Sequence, residues 1–428
     1  MDAIDPDALK VVRRLLTAGH EAYLVGGCVR DLYLGRRPKD FDIATSATPE
    51  AIRRLFRNSR IIGRRFKLAH VFFGSKIIET STFRTAPQQS EDDPLITADN
   101  EWGSVEDDAR RRDFTINGLF FDVETEKIVD FVDGMADLDA RMIRTIGDPG
   151  LRFREDPVRM IRAVKFAARL DFDFEPQTWA ALLEVAPDIV KCSKARVLEE
   201  IYKLLRGGAS RRSFELLLEA GLFEHMLGPY LRQFGEPGPA KAALLEAART
   251  PGEGDALAPE RLLFGLLGAL DRYVQQTDDA VINGVLHAAL FAPFVGRELA
   301  SGARQNLDRT IDTRMGAVGA VVGLARRDRE LGRQILMAHQ RLIEPGARRR
   351  RPNLAGRQYF HDALVFLGLW VDAIGNGHTA LQRWQSLASG APAAEPERQQ
   401  RRRRRRSGRR RGDSSPPDGG GEARAGDS

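Results

Sequence analysis

Hydrophobic spacing changes character near Gly147, and this change limits the possible folds more than any other feature of the chain. Before it, short β-rich runs alternate with brief helical stretches. Ala22–Val25 reads as a strand ending in Gly26-Gly27, Val29–Leu34 as the opening turns of a helix, and Phe41–Ala44 as a second strand. Thr48 is a good N-cap with Pro49 at the first helical position, which predicts a helix to about Asn58. His70–Phe73 and Ile77–Phe83 read as a hairpin joined by Gly74-Ser75-Lys76, and Phe120–Val123 with Ile128–Val132 as another pair. The polar, acidic stretch Thr85–Asn100 reads as a mobile loop. Beyond Gly147 the period is 3.6: Val197, Ile201, Leu204 and Leu205 make one stripe, and no strand signal competes as far as Leu387. The expected architecture is α+β, a head with a small mixed β-sheet and helices over 1–145. An all-α neck follows over 146–210, then an all-α body over 211–390 and a disordered basic tail over 391–428. Whether 211–390 packs as one body or two is left open by the pattern.

The net charge of +6 is unevenly placed: ten arginines lie between Arg398 and Arg411, so the rest of the chain carries −4. A block such as Arg401, Arg402, Arg403, Arg404, Arg405 and Arg406 attracts polyanions, which marks the tail as an RNA-binding candidate. No apolar run approaches the ~20 residues that span a bilayer, and the acidic start MDAIDPDALK is unlike a leader. A cytoplasmic location with no membrane partner is expected. Two cysteines, Cys28 and Cys192, are too few for a disulfide framework or zinc cluster and read as free buried thiols.

Chemistry is densest in LVGGCVRD (24–31) followed by KDFD (39–42). Glycines after a strand let backbone N–H groups approach a phosphate, and a following helix adds a positive dipole. Asp40 and Asp42, at i and i+2 in a strand, project from one face. Two such charges repel unless a cation sits between them, and Mg2+ prefers a few carboxylates combined with substrate phosphates.

The run GGCVRDLYLGRRPKDFD resembles the signature of the class II nucleotidyltransferases, the superfamily of CCA-adding enzymes and bacterial poly(A) polymerases. RRRDFTIN (Arg110–Asn117) resembles the family's second motif, Asp133-Gly134 with Asp137-Leu138 its hinge, Glu155–Arg159 its base-reading motif, and Arg196–Arg206 its last, helical one. The likeness covers about the first half of the chain, in order. It implies Asp40 and Asp42 as catalytic metal ligands, with Glu79 or Asp113 as the third acid. Gly26, Gly27, Arg30, Arg112, Asn117, Asp156, Arg159 and Arg162 are implied at the nucleotide. For Arg30, a salt bridge with Asp31 is an equal reading.

The implied reaction is attack of an RNA 3′-hydroxyl on the α-phosphate of ATP, releasing pyrophosphate, with two metals about 3.5–4 Å apart. Asp156 could accept from the adenine amino group while Arg159 donates to the ring nitrogen. Cytosine offers the same pattern, so this pair does not separate ATP from CTP. Arg159, Arg162, Lys165 and Arg169 recur at helical spacing opposite Ile161, Val164 and Ala168 and are expected to face nucleotide and RNA.

Within the family, Ile61–Val71 (IIGRRFKLAHV) and Asp99–Gly103 (DNEWG) leading into Asp107-Asp108-Ala109 resemble the poly(A) polymerase branch, as does Gln358–Leu367 with its arginine-rich end. Polyadenylation of RNA 3′ ends in messenger RNA processing and turnover is the expected activity, with CCA addition to tRNA the alternative. A fused phosphohydrolase is disfavoured because His361-Asp362 lacks ligand-like histidine spacing. A dinucleotide oxidoreductase is disfavoured because Gly26-Gly27 does not extend to G-x-G-x-x-G.

Overall fold

The computed structural model describes residues 3–63, 68–85, 102–301, 306–343 and 354–388. Three of the sequence-based expectations fall outside these residues: most of the 85–100 loop, Arg64–Lys67 and the whole tail with Arg401–Arg406.

Helix α1 (Pro6–Thr17) starts at Asp5, whose carboxylate caps the N–H groups of Asp7 and Ala8. It packs on a seven-stranded sheet ordered β3-β4-β5-β2-β1-β6-β7. The strands are β1 (Ala22–Val25), β2 (Asp42–Thr45), β3 (Ser59–Ile62), β4 (Leu68–Phe73), β5 (Lys76–Thr82), β6 (Leu119–Asp122) and β7 (Lys127–Asp130). Every neighbouring pair is antiparallel except β2 with β5, so the sheet is mixed, as expected. Alternation sends Leu24, Ile43, Ala69, Val71 and Ile78 into one core with Val11, Val12 and Leu15 of α1. The opposite face carries a smaller core of Val25, Ala44, Phe83, Ala109 and Phe120. Over β5, β4 and β3 its residues are exposed or half-buried, and this open area positions the site.

Some local expectations need correction. Helix α2 (Gly27–Tyr33) begins two residues earlier than its apolar pattern suggests. Helix α3 (Pro49–Leu55) has its Thr48 cap but stops short of Asn58, because Phe56 turns extended and buries its ring. The Gly74-Ser75 loop of the β4–β5 hairpin is two residues long, since Lys76 already pairs with Phe73. Strand β3 was not anticipated, and Cys192 is half-buried rather than buried.

Helices α4 (Val105–Arg110) and α5 (Gly134–Asp139) complete the head. Behind it come α6 (Pro149–Glu155), α7 (Val158–Leu170), α8 (Pro176–Val185) and α9 (Lys194–Leu205). One interruption breaks the helical pattern: Asp173–Phe174 pairs with Met142–Ile143. The remaining described chain is helical from Ser210 to Ala388. The large core runs from Ile4 to Trp370, and a third cluster gathers Leu342, Phe360, Leu367 and Trp384. Among the described residues no helix is long and apolar enough to cross a membrane.

Candidate active site

A cleft of about 560 Å³ opens between the sheet and the helices behind it. Asp42 and Glu79 line one wall; Arg112, Asp113, Asp156 and Arg162 also line it.

Asp42 opens β2 and lies in parallel register with Glu79 on β5, so both carboxylates leave the sheet on one face. Asp40 precedes the strand instead of lying in it, but exposure still alternates through Asp40, Phe41 and Asp42, with Phe41 buried. Partial desolvation at the cleft wall, then the charge of Glu79, push the Asp42 carboxyl up to about 6; Arg112 opposes this and Asp40 adds to it. The wall thus carries more negative charge than it neutralises. Among the described residues no group of three or more His, Cys, Asp or Glu is placed to hold a metal ion by itself. The donor set still fits a hard divalent ion that completes its shell with phosphates and water.

Gly26 has φ +73°, a conformation other residues rarely adopt, and a Cβ there would meet Arg112 Nη1 at 3.3 Å. Its N–H donates to the Leu119 carbonyl (3.0 Å). Gly26 therefore brings the chain close to Arg112 and does not offer its amide to a phosphate. Gly27 opens α2, and neither glycine lines the cleft. Arg30 is buried: its Nε and Nη2 bind Asp31 Oδ1 at 2.9 and 2.7 Å, and Nη1 donates to Asn117 Oδ1 at 2.6 Å. Its guanidinium also covers the Phe166 ring at 5.2 Å. Of the two readings of Arg30, the salt bridge is the observed one, and Arg30 and Asn117 brace the site from behind.

Arg112 is aimed by Asp108, a fully buried carboxylate that binds Arg112 at 2.8 Å and Arg111 at 2.7 Å. Burial pushes Asp108 up, but the two guanidinium groups hold it below the usual aspartate range. Asp113 is tied to Arg162 at 2.6 Å and accepts from Asn117 Nδ2 at 3.4 Å. Burial raises its carboxyl, and Arg162 more than reverses that.

Asp156 binds Arg196 at 2.8 Å through Oδ2, while Oδ1 is buried without a hydrogen-bond partner. Arg159 is buried and bound to Glu155 (2.7 Å) and the Arg152 carbonyl (2.9 Å), and it does not line the cleft. Arg152 in turn donates to the carbonyls of Arg111 and Arg112, both at 2.6 Å, strapping helix α6 to the second motif. The basic stripe of α7, expected to face nucleotide and RNA, is paired with acids of the protein, and of its four members only Arg162 lines the cleft. Its members pair with Glu155, Asp113, Glu200 and Asp31, the last two through Lys165 at 3.1 Å and Arg169 at 3.8 Å.

Arg84 also lines the cleft and was not singled out from sequence; Arg111, Arg196, Glu199, Glu200 and Lys203 line it too and were noted only within motifs. Helix α9 could have revealed its share. Arg196, Glu199, Glu200 and Lys203 recur at i, i+3, i+4 and i+7, opposite the Val197–Ile201–Leu204 stripe.

The mixed sheet with adjacent carboxylates and the helices that close over it share the fold of nucleotidyltransferases, among them a solved CCA-adding enzyme. Residues 22–144 match the Poly A polymerase head domain, and residues 171–234 the family described as Probable RNA and SrmB-binding site of polymerase A. The chain is 48% identical over 244 residues to Poly(A) polymerase I of Salmonella typhimurium, covering 55% of this chain and 52% of that protein. It is 37% identical over 231 residues to the CCA-adding enzyme of Bacillus subtilis, covering 54% and 57%. It thus spans about half the length of the curated relatives it matches. The solved Bacillus stearothermophilus CCA-adding enzyme in complex with CTP is 27% identical, covers 89% of this chain and 82% of its own, and superposes with a TM-score of 0.63.

Proposed function

We propose that the chain transfers AMP from ATP to the 3′-hydroxyl of RNA without a template and releases pyrophosphate. The carrying observation is the cleft that joins the Asp42–Glu79 pair to Asp113, Asp156 and Arg162. Greater identity to Poly(A) polymerase I (48%) than to a CCA-adding enzyme (37%) favours polyadenylation. We assign the head to residues 1–145, the neck to 146–210 and the RNA-binding body to 211–390. Cytoplasmic messenger RNA processing and turnover is the proposed setting.

Asp40 and Asp42 would hold Mg2+, with Glu79 the third acid of that wall. When bound, the ion supplies charge neutralisation at the reacting phosphates. Arg112 draws the triphosphate toward Asp42, and Asp108 fixes its direction. The 3′-oxygen bonds to the α-phosphorus as the bond to the pyrophosphate oxygen breaks, and the hydroxyl proton leaves to solvent. Asp156 accepts from the amino group of the base, with Arg196 holding its other oxygen. Arg159 takes part through its fixed place beside Glu155.

The fold likeness to a CCA-adding enzyme over 89% of the chain supports CCA addition as a second reading. Purified full chain with ATP alone should build long homopolymers on arbitrary RNA. A product that needs CTP and stops at CCA on tRNA would give the assignment to the second reading. Deleting residues 398–428 should weaken RNA binding and flatten its salt dependence while single additions continue; an unchanged slope would remove the tail from the RNA interface.

A further inference from the structure

Four strands of the head present one transverse row of side chains. Register sets Asp42 opposite Glu79, Glu79 opposite His70, and His70 opposite Arg60. Directly opposed residues share a face, and burial agrees: these four alternate with the buried Ile43, Ile78, Thr80, Ala69, Val71 and Ser59. His70 Nε2 lies 3.6 Å from Glu79 Oε1. The row therefore runs from the carboxylates in the cleft to a cation on β3, the free edge of the sheet, over about 14 Å.

At that edge a groove of about 470 Å³ is lined by Arg57, Asn58, Arg60 and Phe72, and Arg54 stands exposed on the last turn of α3. Arg53 borders the groove but is occupied, donating to the carbonyls of Arg57 and Ser59. Among the described residues no carboxylate pairs with Arg54, Arg57 or Arg60. In this they differ from Arg112, Arg159, Arg162 and Arg196, each of which is held by an acid.

We infer that this edge carries the RNA strand that leads to the reacting 3′ end, gripped by its phosphates without regard to sequence. The inference rests on the reading of the chain as a nucleotidyltransferase acting on RNA. A strand whose terminal hydroxyl reaches Asp42 must send its preceding phosphates away from the acidic wall. The cross-strand row offers a direct path from there to guanidinium groups that no carboxylate of the described residues holds. Guanidinium forks suit phosphate oxygens, and Phe72 gives the groove an aromatic wall of the kind single strands use. An acidic protein would find the same charges, but continuity with the reacting row favours nucleic acid.

The test compares the full chain with a variant carrying Arg54→Gln, Arg57→Gln and Arg60→Gln, with Arg53 left in place. Binding of single-stranded oligoadenylate is measured across a salt series, and KM for RNA and for ATP separately. Loss of three phosphate contacts should reduce the log–log salt slope by about 2, at ~0.7 per contact on a single strand. KM for RNA should rise about tenfold, and KM for ATP should change less than twofold. If the triple variant fails to fold, Arg60→Gln and Arg54→Gln alone should each lower the slope by about 0.7. A photoreactive nucleotide placed a few residues before the 3′ end should crosslink between positions 57 and 72. An unchanged slope and an unchanged KM for RNA, or crosslinks confined to other parts of the chain, would overturn the inference. Failure of the wild-type chain to incorporate AMP would strike the broader reading instead, and the salt slope would still judge the edge.

Discussion

Asp42 and Asp113 line the same cleft, and the protein treats them in opposite ways. Desolvation raises the carboxyl of both. Their neighbours decide the outcome. Glu79 and Asp40 add to the rise at Asp42, which reaches about 6, whereas Arg162 pulls Asp113 below the usual range. A carboxylate in the company of other carboxylates suits a divalent cation. One locked to a guanidinium is already satisfied and serves to join the head to helix α7.

The largest expected effect follows from that contrast. Asp42→Asn should cut AMP incorporation by ~10³-fold or more, the scale of several kcal/mol of lost charge stabilisation. It should also raise the melting temperature at neutral pH, because the residue's charge opposes folding by on the order of 1 kcal/mol once solvent screening is allowed for. Activity measured with labelled ATP and a thermal melt check the two halves, and a variant that loses stability would break the comparison.

Asp113→Asn should behave differently, lowering activity and stability together. It strands Arg162 without its partner, at about 2 kcal/mol. That is below the ~3–5 of a fully buried pair because the Arg162 side chain is 35% exposed. Denaturant midpoints would read this loss. Asp113→Leu combined with Arg162→Met should recover most of the stability and none of the activity.

A smaller effect concerns pH. Folded Asp42 titrates near 6 against an ordinary 3.8, so the folded chain holds this proton more tightly than the unfolded one. Acidification through 6 therefore stabilises the fold at Asp42 while removing the charge a cation needs. At Asp113 the sign reverses: its stabilising contribution is complete above the ordinary aspartate value and is lost as pH falls through its lowered one. Transfer should show an acid limb near pH 6 that moves to lower pH as divalent cation is added. A limb that ignores cation concentration would separate Asp42 from metal binding.

Local signals carried much of this site. The Asp40–Asp42 spacing, the β1 strand running into its glycine turn and the Thr48 cap can all be read from neighbouring residues, because period and capping are local properties. The acid adjacent to Arg30 was equally visible, and it left a salt bridge and a nucleotide contact as equal readings. What stayed hidden depends on distant partners. The α7 stripe reads as facing nucleotide and RNA; its internal pairing is hidden because Asp31, Asp113 and Glu200 lie far away in sequence, and only the packed helices bring them to Arg169, Arg162 and Lys165. Glu79 could be named, but its place beside Asp42 required the parallel β2–β5 pairing. Strand β3 was missed because its four residues are flanked by charge and pair on one side only.

The wall of Asp40, Asp42 and Glu79 is proposed to grip a divalent cation. Titration of the full chain with Mn2+ in the presence of ATP, followed by water-proton relaxation, tests this directly. Wild type should bind the ion, and Asp42→Asn should bind it at least tenfold more weakly. Equal affinity in the two proteins would contradict the account.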